Sequence, residues 1–454
     1  MRCHRQVSER QFLTGLFLLA VVLRLAAVLV LGVPDPIESS EDGMIAARLV
    51  AGLGYTFDFY GYRTANPLQS FMPPLYTLFV SVFLRFTSQP ATMLGICQAL
   101  ISSFTPLLVY GVAVQISVRP VTWLAGVATA LYPVFIIEAA RPFTLSLLSF
   151  LLASFLFLTV RLLKLAGWRQ GALIGIVAGM MALVRATMLG LVMVIVIWMY
   201  LNRDAIHHWL VVGLAVIAFA GLTLMPWTVR NCLVHRQLVL ISTNGGFTFW
   251  NGNNPFTTGS AFDVYVDRVA AYTNVPVDLD AVQSGIVHLR PYPLPPNVVA
   301  QVQALTEVEL ERELYRAGLR YSLEHPRDWL RLVARKVTSF WWFRPNIGRS
   351  RADLGEGGQI YDPAWVLPYK ILYAAMFPLF LLGVLTSLKN ARRYSILYFL
   401  FGYLTVAYSL FNVTTRYRWE IEPYILLFSG LGLVTLMSQA GGWIQEWKLL
   451  SSHL

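Results

Sequence analysis

Pro226-Trp227-Thr228-Val229-Arg230-Asn231 closes an apolar run that begins near Trp209. A polar string follows it: Ser242-Thr243-Asn244-Gly245-Gly246, then Trp250-Asn251-Gly252-Asn253-Asn254-Pro255. An apolar span that leaves lipid through Trp and Arg into Asn and Gly places a polar recognition surface at a bilayer boundary. Arg presents a planar fork to phosphate oxygens. Asn amides donate to and accept from hydroxyls, and Trp offers a flat amphipathic face on which a sugar ring can stack. Taken singly, each residue fits an interfacial anchor or a turn-rich loop equally well.

The rest of the chain agrees with a membrane setting. Its 454 residues are 56% hydrophobic and only 13% charged, the composition of a polytopic membrane protein rather than a soluble globule. Apolar blocks fall at 12–33, 72–87, 91–116, 121–139, 143–165, 171–201, 208–226, 366–388, 395–411 and 421–438. The block 171–201 exceeds the roughly 20 residues of one crossing, and Gly179 and Arg185 interrupt it, so it reads as a hairpin. The block 72–87 is short and opens with Pro73-Pro74, which suits a re-entrant or interfacial helix. The expected fold is an all-α polytopic membrane protein of about 9–11 transmembrane helices with one large extracytoplasmic loop domain. Three parts are expected: an N-terminal module 1–226 containing a first loop 34–71, a loop domain 227–365, and a C-terminal module 366–454.

The net charge of +11 fits cytoplasmic anchors and affinity for anionic headgroups or lipid-linked phosphates, and no nucleic-acid partner is expected. Cys3, Cys97 and Cys232 have neither metal-like nor disulfide-framework spacing. The first apolar block is too long for a signal-peptide core, so it reads as an uncleaved span with a cytoplasmic N-terminus. Arg161, Lys164 and Arg169 mark one cytoplasmic turn, Arg203 a second, and Lys389, Arg392 and Arg393 a third. That puts 34–71, 227–365 and 412–420 together on the extracytoplasmic side. It requires an odd number of crossings before residue 227, whereas the blocks counted as full spans give eight.

Within the large loop, 299–324 reads as a helix with capping-box spacing at Thr306 and Glu309. A second helix, 326–343, sets Arg327, Arg331, Arg335 and Lys336 against Leu330, Leu332, Val333 and Phe340, the pattern of a helix lying on a membrane surface. The stretch 259–298 is Pro-rich and irregular.

Two further constellations carry chemistry. Glu38, Glu41 and Asp42 lie at the start of a short helix at a membrane boundary. Carboxylates crowded beside low-dielectric lipid have raised or split pKa values, which suits a general base; a plain helix N-terminus favoured by the dipole explains the same residues. Thr414-Thr415-Arg416-Tyr417-Arg418-Trp419-Glu420 puts two arginines on the non-anchoring side, where a lipid phosphate is a natural partner and snorkelling to ordinary headgroups the alternative. Arg24 and Arg185 lie deep in apolar blocks and Glu138 and Arg141 at a span end; Arg185 reads as part of the hairpin turn, and Arg141 as a possible wall of the polar cleft. No Walker A loop, Gly-x-Ser-x-Gly elbow or Rossmann fingerprint is present, which argues against an ATP-driven pump or a nucleotide-sugar domain.

The order of these motifs is similar to that of bacterial glycosyltransferases of family 39, with the GT-C fold. An acidic first loop feeds Ile45-Ala46-x-x-Leu49-x-x-Gly52-x-Gly54-Tyr55. Met72-Pro73-Pro74-Leu75-Tyr76 follows, then the two strings quoted first, then Arg416-Tyr417-Arg418 before the final span. Protein O-mannosyltransferases and lipid A aminoarabinose transferases are relatives of that family. The resemblance implies an integral enzyme of the bacterial plasma membrane. It would move a sugar, with inversion, from a polyprenyl-phosphate donor to a protein, lipid or glycan acceptor on the extracytoplasmic face. It implies a first-loop carboxylate as base; the family's usual Asp falls on Glu38, some members match at Glu41, and Asp42 is one residue off, so Glu41 ranks first with Asp42 and Glu38 behind. It implies Arg416 and Arg418, with Arg230 as an extension, for the carrier phosphate, and Asn244, Trp250, Asn251, Asn253 and Tyr417 for sugar or acceptor. A divalent cation is left open, because the acidic spacing is not diagnostic. A transporter or flippase for lipid-linked sugars, or a non-catalytic subunit, would use the same basic residues.

Overall fold

The computed structural model describes residues 8–30, 32, 37–57, 67–254, 257, 259, 305–342 and 363–451. Among them every regular element is helical, and the one β contact is an isolated bridge between Phe57 and Leu68. The α-helices in chain order are α1 (Glu9–Val30), α2 (Glu41–Val50), α3 (Pro74–Phe86), α4 (Pro90–Ser102), α5 (Thr105–Ile116), α6 (Arg119–Leu131), α7 (Pro133–Ile137), α8 (Leu145–Arg161), α9 (Trp168–Val184), α10 (Gly190–Leu201), α11 (Trp209–His235), α12 (Gly245–Gly252), α13 (Glu307–Glu324), α14 (Pro326–Trp341), α15 (Pro363–Ser387), α16 (Ala391–Leu410) and α17 (Glu422–Ser451). Among the described residues five helical stretches are long and apolar enough to cross a membrane: Glu9–Val30, Pro90–Ile116, Trp209–His235, Leu367–Leu410 and Thr415–Gln439. The 45° bent pair Arg119–Leu131 with Pro133–Ala140 makes a sixth if it is one span, and four shorter apolar helices complete the bundle.

The packing of α9 on α11 fixes the chain path. Gly171, Gly175 and Gly179 recur every fourth residue on one face of α9 and meet Val212, Val216 and Thr223 in turn. A Cβ on Gly175 would stand 2.4 Å from the Val216 carbonyl oxygen, so the glycines are what lets the two backbones touch. Residue numbers rise together along both helices, so they run parallel and α10 between them runs back. The block 171–201 is therefore a hairpin, but its break lies at Arg185, in extended backbone, followed by a short turn Ala186–Leu189. Gly179, read from sequence as an interruption, is a packing residue inside α9.

The remaining passes follow from side-chain pairs. Along α1, Phe12 meets Tyr110, Phe17 meets Phe104 and Val28 packs with Ala99, so Pro90–Ile116 is antiparallel to α1. Phe12 also stacks on Trp123, and Arg24 reaches the Ala130 carbonyl at 3.4 Å, so α6 returns alongside α1. Arg24 is thereby buried against two backbone carbonyls, those of Ala20 and Ala130. At one end of the bundle Arg392 Nε donates to Asn202 Oδ1 at 3.2 Å and Tyr394 donates to Ser117 at 3.2 Å, which gathers the basic turns. The other end gathers the first loop, residues 138–144 and 185–189, α12, and the short helical turn Thr415–Ile421.

α3 is not a pass between these ends. Tyr76 at its start donates to Gln98 at 2.8 Å, and a few residues after Phe86 the chain enters Pro90–Ile116 at the same end. Among the described residues the path to His235 then has seven passes (α1, α4–α5, α6–α7, α8, α9, α10, α11), the odd number that the sidedness expectation requires.

The capping box of α13 forms, with Thr306 N donating to Glu309 at 2.9 Å. On α14, Arg327, Arg331 and Arg335 are exposed while Leu332 and Phe340 are buried, but so is Lys336, which sequence alone put on the solvated basic face. Leu330 is exposed rather than on the buried face. The Pro-rich stretch from 260 to 298, the expected helical start 299–304 and Phe343 lie outside the described residues.

Candidate functional site

The acidic side is built by α2. Ser40 caps the helix, its Oγ accepting from Gly43 N at 3.1 Å. Position 43 must be glycine, because a Cβ there would stand 1.7 Å from the Ile37 carbonyl oxygen. The turn Ile37–Ser39 thus folds onto the first turn of α2 and presents Glu41 and Asp42 at the positive end of the helix dipole. Asp42 is buried, and its Oδ1 accepts from the Thr77 hydroxyl at 2.6 Å. Thr77 in turn accepts from Tyr55 at 3.2 Å, so α3, begun by Pro74 at its first position, orients the carboxylate. Glu41 is half-buried beside it, and Glu38 is exposed.

A cavity of about 660 Å³ opens at this end. Its wall includes Glu41 and Asp42 of α2, Asn244 and Asn251 flanking and within α12, and Arg416 and Tyr417 from the late loop, segments remote in the chain. Asn244 is held by Ser242, whose hydroxyl donates to its Oδ1 at 3.1 Å. The Arg416 guanidinium lies 5.0 Å from the Phe143 ring, and Tyr417 stacks on Tyr408 at 4.6 Å.

Sequence reasoning missed Arg185. It lies at the hairpin turn, as expected, but it is also a cavity-lining residue paired with the buried Glu420; it donates to Thr144 at 3.2 Å and Tyr408 at 3.1 Å and lies over Tyr417 at 5.2 Å. The available signal was an arginine inside an apolar block together with an acid, Glu420, in a loop at the membrane boundary. Tyr315, from α13, also reaches the wall. Burial, then the neighbouring Glu311, pushes its hydroxyl up to about 12, and burial pushes the Glu311 carboxyl up to about 7, with Glu307 adding to the shift.

Five residues expected from sequence lie elsewhere or outside the cavity wall. Arg418 is fully buried, bonded to Glu422 at 3.0 Å, the Phe340 carbonyl at 2.8 Å and the Tyr369 hydroxyl at 2.9 Å. Arg230 donates to the Gln69 carbonyl at 2.6 Å and covers the Trp227 ring at 4.7 Å. Asn253 spends its amide on the Phe249 and Leu410 carbonyls, each at 2.8 Å, and accepts from Trp329 and Lys336. Trp250 and Glu38 are absent from the cavity lining as well. Among the described residues no cluster of three or more His, Cys, Asp or Glu could hold a metal ion.

The fold and the cavity define a polytopic helical membrane protein with acidic and basic groups lining one cavity. No protein-family model matches the sequence, and no curated protein matches it. Solved structures do. The apo form of an oligosaccharyltransferase from Archaeoglobus fulgidus gives a TM-score of 0.57 at 13% identity, covering 99% of this chain and 52% of that one. The oligosaccharyltransferase AglB from the same organism, in complex with an inhibitory peptide and a dolichol-phosphate, gives 0.53 at 11% identity, covering 98% and 52%. ArnT from Cupriavidus metallidurans bound to undecaprenyl phosphate gives 0.40 at 14% identity, covering 94% and 78%. This chain spans about half the length of the oligosaccharyltransferase structures it matches. With the two oligosaccharyltransferase structures, at TM-scores above 0.5 and such identities, the shared property is the helical GT-C-type fold expected from sequence. The finer placement in family 39 has no matching family model.

Proposed function

We propose that the chain is a membrane glycosyltransferase of the family-39 kind. It would transfer a sugar from a polyprenyl-phosphate donor, with inversion, to an acceptor on the extracytoplasmic face of a bacterial plasma membrane. One observation carries the reading: Glu41 and Asp42 of the first loop and Arg416 of the last line a single cavity together with Asn244 and Asn251. In the reaction an acceptor hydroxyl attacks the anomeric carbon while a carboxylate takes its proton. The bond from that carbon to the phosphate oxygen breaks, and Arg416 and Arg185 offset the charge that develops on the leaving polyprenyl phosphate. Asp42 is the better oriented carboxylate and Glu41 the more open one; Glu38 stands third. The gathering of the basic turns at the opposite end supports the sidedness.

The test is sugar release by the purified protein from a panel of radiolabelled polyprenyl-phosphate sugars. Either Glu41→Gln or Asp42→Asn should lower release by about 10²- to 10⁴-fold while leaving donor binding in place, the range for a lost general base. Glu38→Gln should change it little. If donor binds but nothing is released even with envelope extract as acceptor, the enzyme reading fails and a transporter or accessory subunit takes its place.

A further inference from the structure

Helices α13 and α14, joined at His325, pack on the bundle through apolar side chains such as Leu310 and Phe340, and each also inserts a buried charged side chain, Glu307 from α13 and Lys336 from α14. Glu307, at the start of α13, accepts from Gln69 N at 2.6 Å, from Ser70 N at 2.9 Å and from the Thr243 hydroxyl. Directly after these anchor points come Phe71-Met72-Pro73 and Asn244-Gly245, all in the cavity wall. Lys336, on α14, donates to the Phe411 carbonyl at 2.6 Å and to Asn253 Oδ1 at 3.1 Å. Phe411 and Asn412 are again cavity wall, and the chain runs on to Arg416 and Tyr417. A second tie on this side joins Arg418 to the Phe340 carbonyl at the end of α14. Apolar contacts alone could pack two helices here at lower desolvation cost. A carboxylate shared by two successive backbone amides does something else: it fixes where that backbone sits.

We propose that Glu307 and Lys336 are positioning residues, through which the joined helices α13 and α14 strap the acidic rim of the cavity to its basic rim and set the spacing between them. Neither residue lines the cavity, so both act through the segments they hold. The kinetic arm of the test rests on the proposed transfer reaction, and the structural arm does not.

The structural arm is amide hydrogen exchange on the full-length protein in detergent, for wild type, Glu307→Gln and Lys336→Met. Glu307→Gln should speed exchange at 69–73 and 243–245 by about 10- to 100-fold, the worth of charge-assisted bonds, and leave 408–418 unchanged. Lys336→Met should do the reverse, at 251–254 and 408–414, with exchange read at pH 10, where the loss of its two bonds outweighs the relief of burying an ammonium. Faster exchange spread evenly over the bundle, or none at 69–70, overturns the proposal. Should Glu307→Gln not fold, Thr243→Val removes one tie only and should give the same pattern at smaller size. In the kinetic arm each variant should lower kcat by about 10-fold or more with donor KM within about twofold, because reacting groups are misplaced rather than lost. A wild type that transfers nothing sinks the enzyme reading, while the exchange pattern still decides the strap.

Discussion

Replacing Lys336 by methionine should remove one pH-dependent contribution to stability. The ammonium is 1% exposed and, among the described residues, donates to the neutral acceptors Asn253 Oδ1 and the Phe411 carbonyl. Among the described residues no carboxylate lies against it, and burial pulls its pKa down from 10.5 to about 7. An unfolded lysine keeps its proton up to its ordinary value, whereas the folded one surrenders it near neutrality. Between those two values the unfolded state therefore binds more protons, so the fold gains stability as pH rises from about 7 and loses it as pH falls toward 7. The full span corresponds to about 5 kcal/mol as a ceiling, since water penetration and relaxation reduce it.

Methionine matches the length, carries no charge and removes both donated bonds. Asn253 Oδ1 keeps Trp329, 3.0 Å away, so the main cost is the Phe411 carbonyl, about 1–3 kcal/mol. The variant should then be the more stable protein at pH 6 and the less stable at pH 10, with the two curves crossing near pH 9 by these order-of-magnitude terms. Thermal unfolding of both purified proteins in one detergent, from pH 6 to 10, measures the crossing. Parallel curves would refute the reasoning, because they would mean that Lys336 titrates alike in folded and unfolded chains.

Two other outcomes follow from the same geometry. Glu311, held up at about 7 by burial and Glu307, makes the folded state the tighter proton binder above its ordinary range; stability should fall as pH rises from about 4.5 to 7, and Glu311→Gln, which can still accept from Gly246 N, should abolish that slope in the same unfolding assay. Gly175→Ala should destabilise by about 1–3 kcal/mol despite alanine's better helix propensity, since its Cβ meets the α11 backbone, whereas Gly221→Ala on α11, with open space at that Cβ, should be neutral or stabilising by up to about 1 kcal/mol; unfolding midpoints that rank the two the other way would mean the α9–α11 contact is not backbone on backbone.

How far the chain could be read turns on what kind of fact each residue encodes. Hydropathy and capping patterns describe one segment at a time, and those readings hold: the helical bundle, the hairpin in 171–201 and the capping box at Thr306. Motif order brought Glu41, Asp42, Asn244, Asn251, Arg416 and Tyr417 to notice, and the fold puts all six around one cavity. The failures share one cause. A buried ion needs a partner, but sequence does not say which of many distant groups it is. Arg185 took Glu420, Lys336 took Asn253 and the Phe411 carbonyl, and Arg230 took the Gln69 carbonyl, all choices made by packing across remote segments. Arg418 is different. Its partner Glu422 stands four residues on, at helical spacing, so a structural pairing was there to be read beside the phosphate reading. The glycines of α9 were equally readable: three at every fourth position inside an apolar block specify a close helix contact. Weighing such local pairings first would have left Arg416 as the basic residue of the late loop for the cavity, which is where the fold places it.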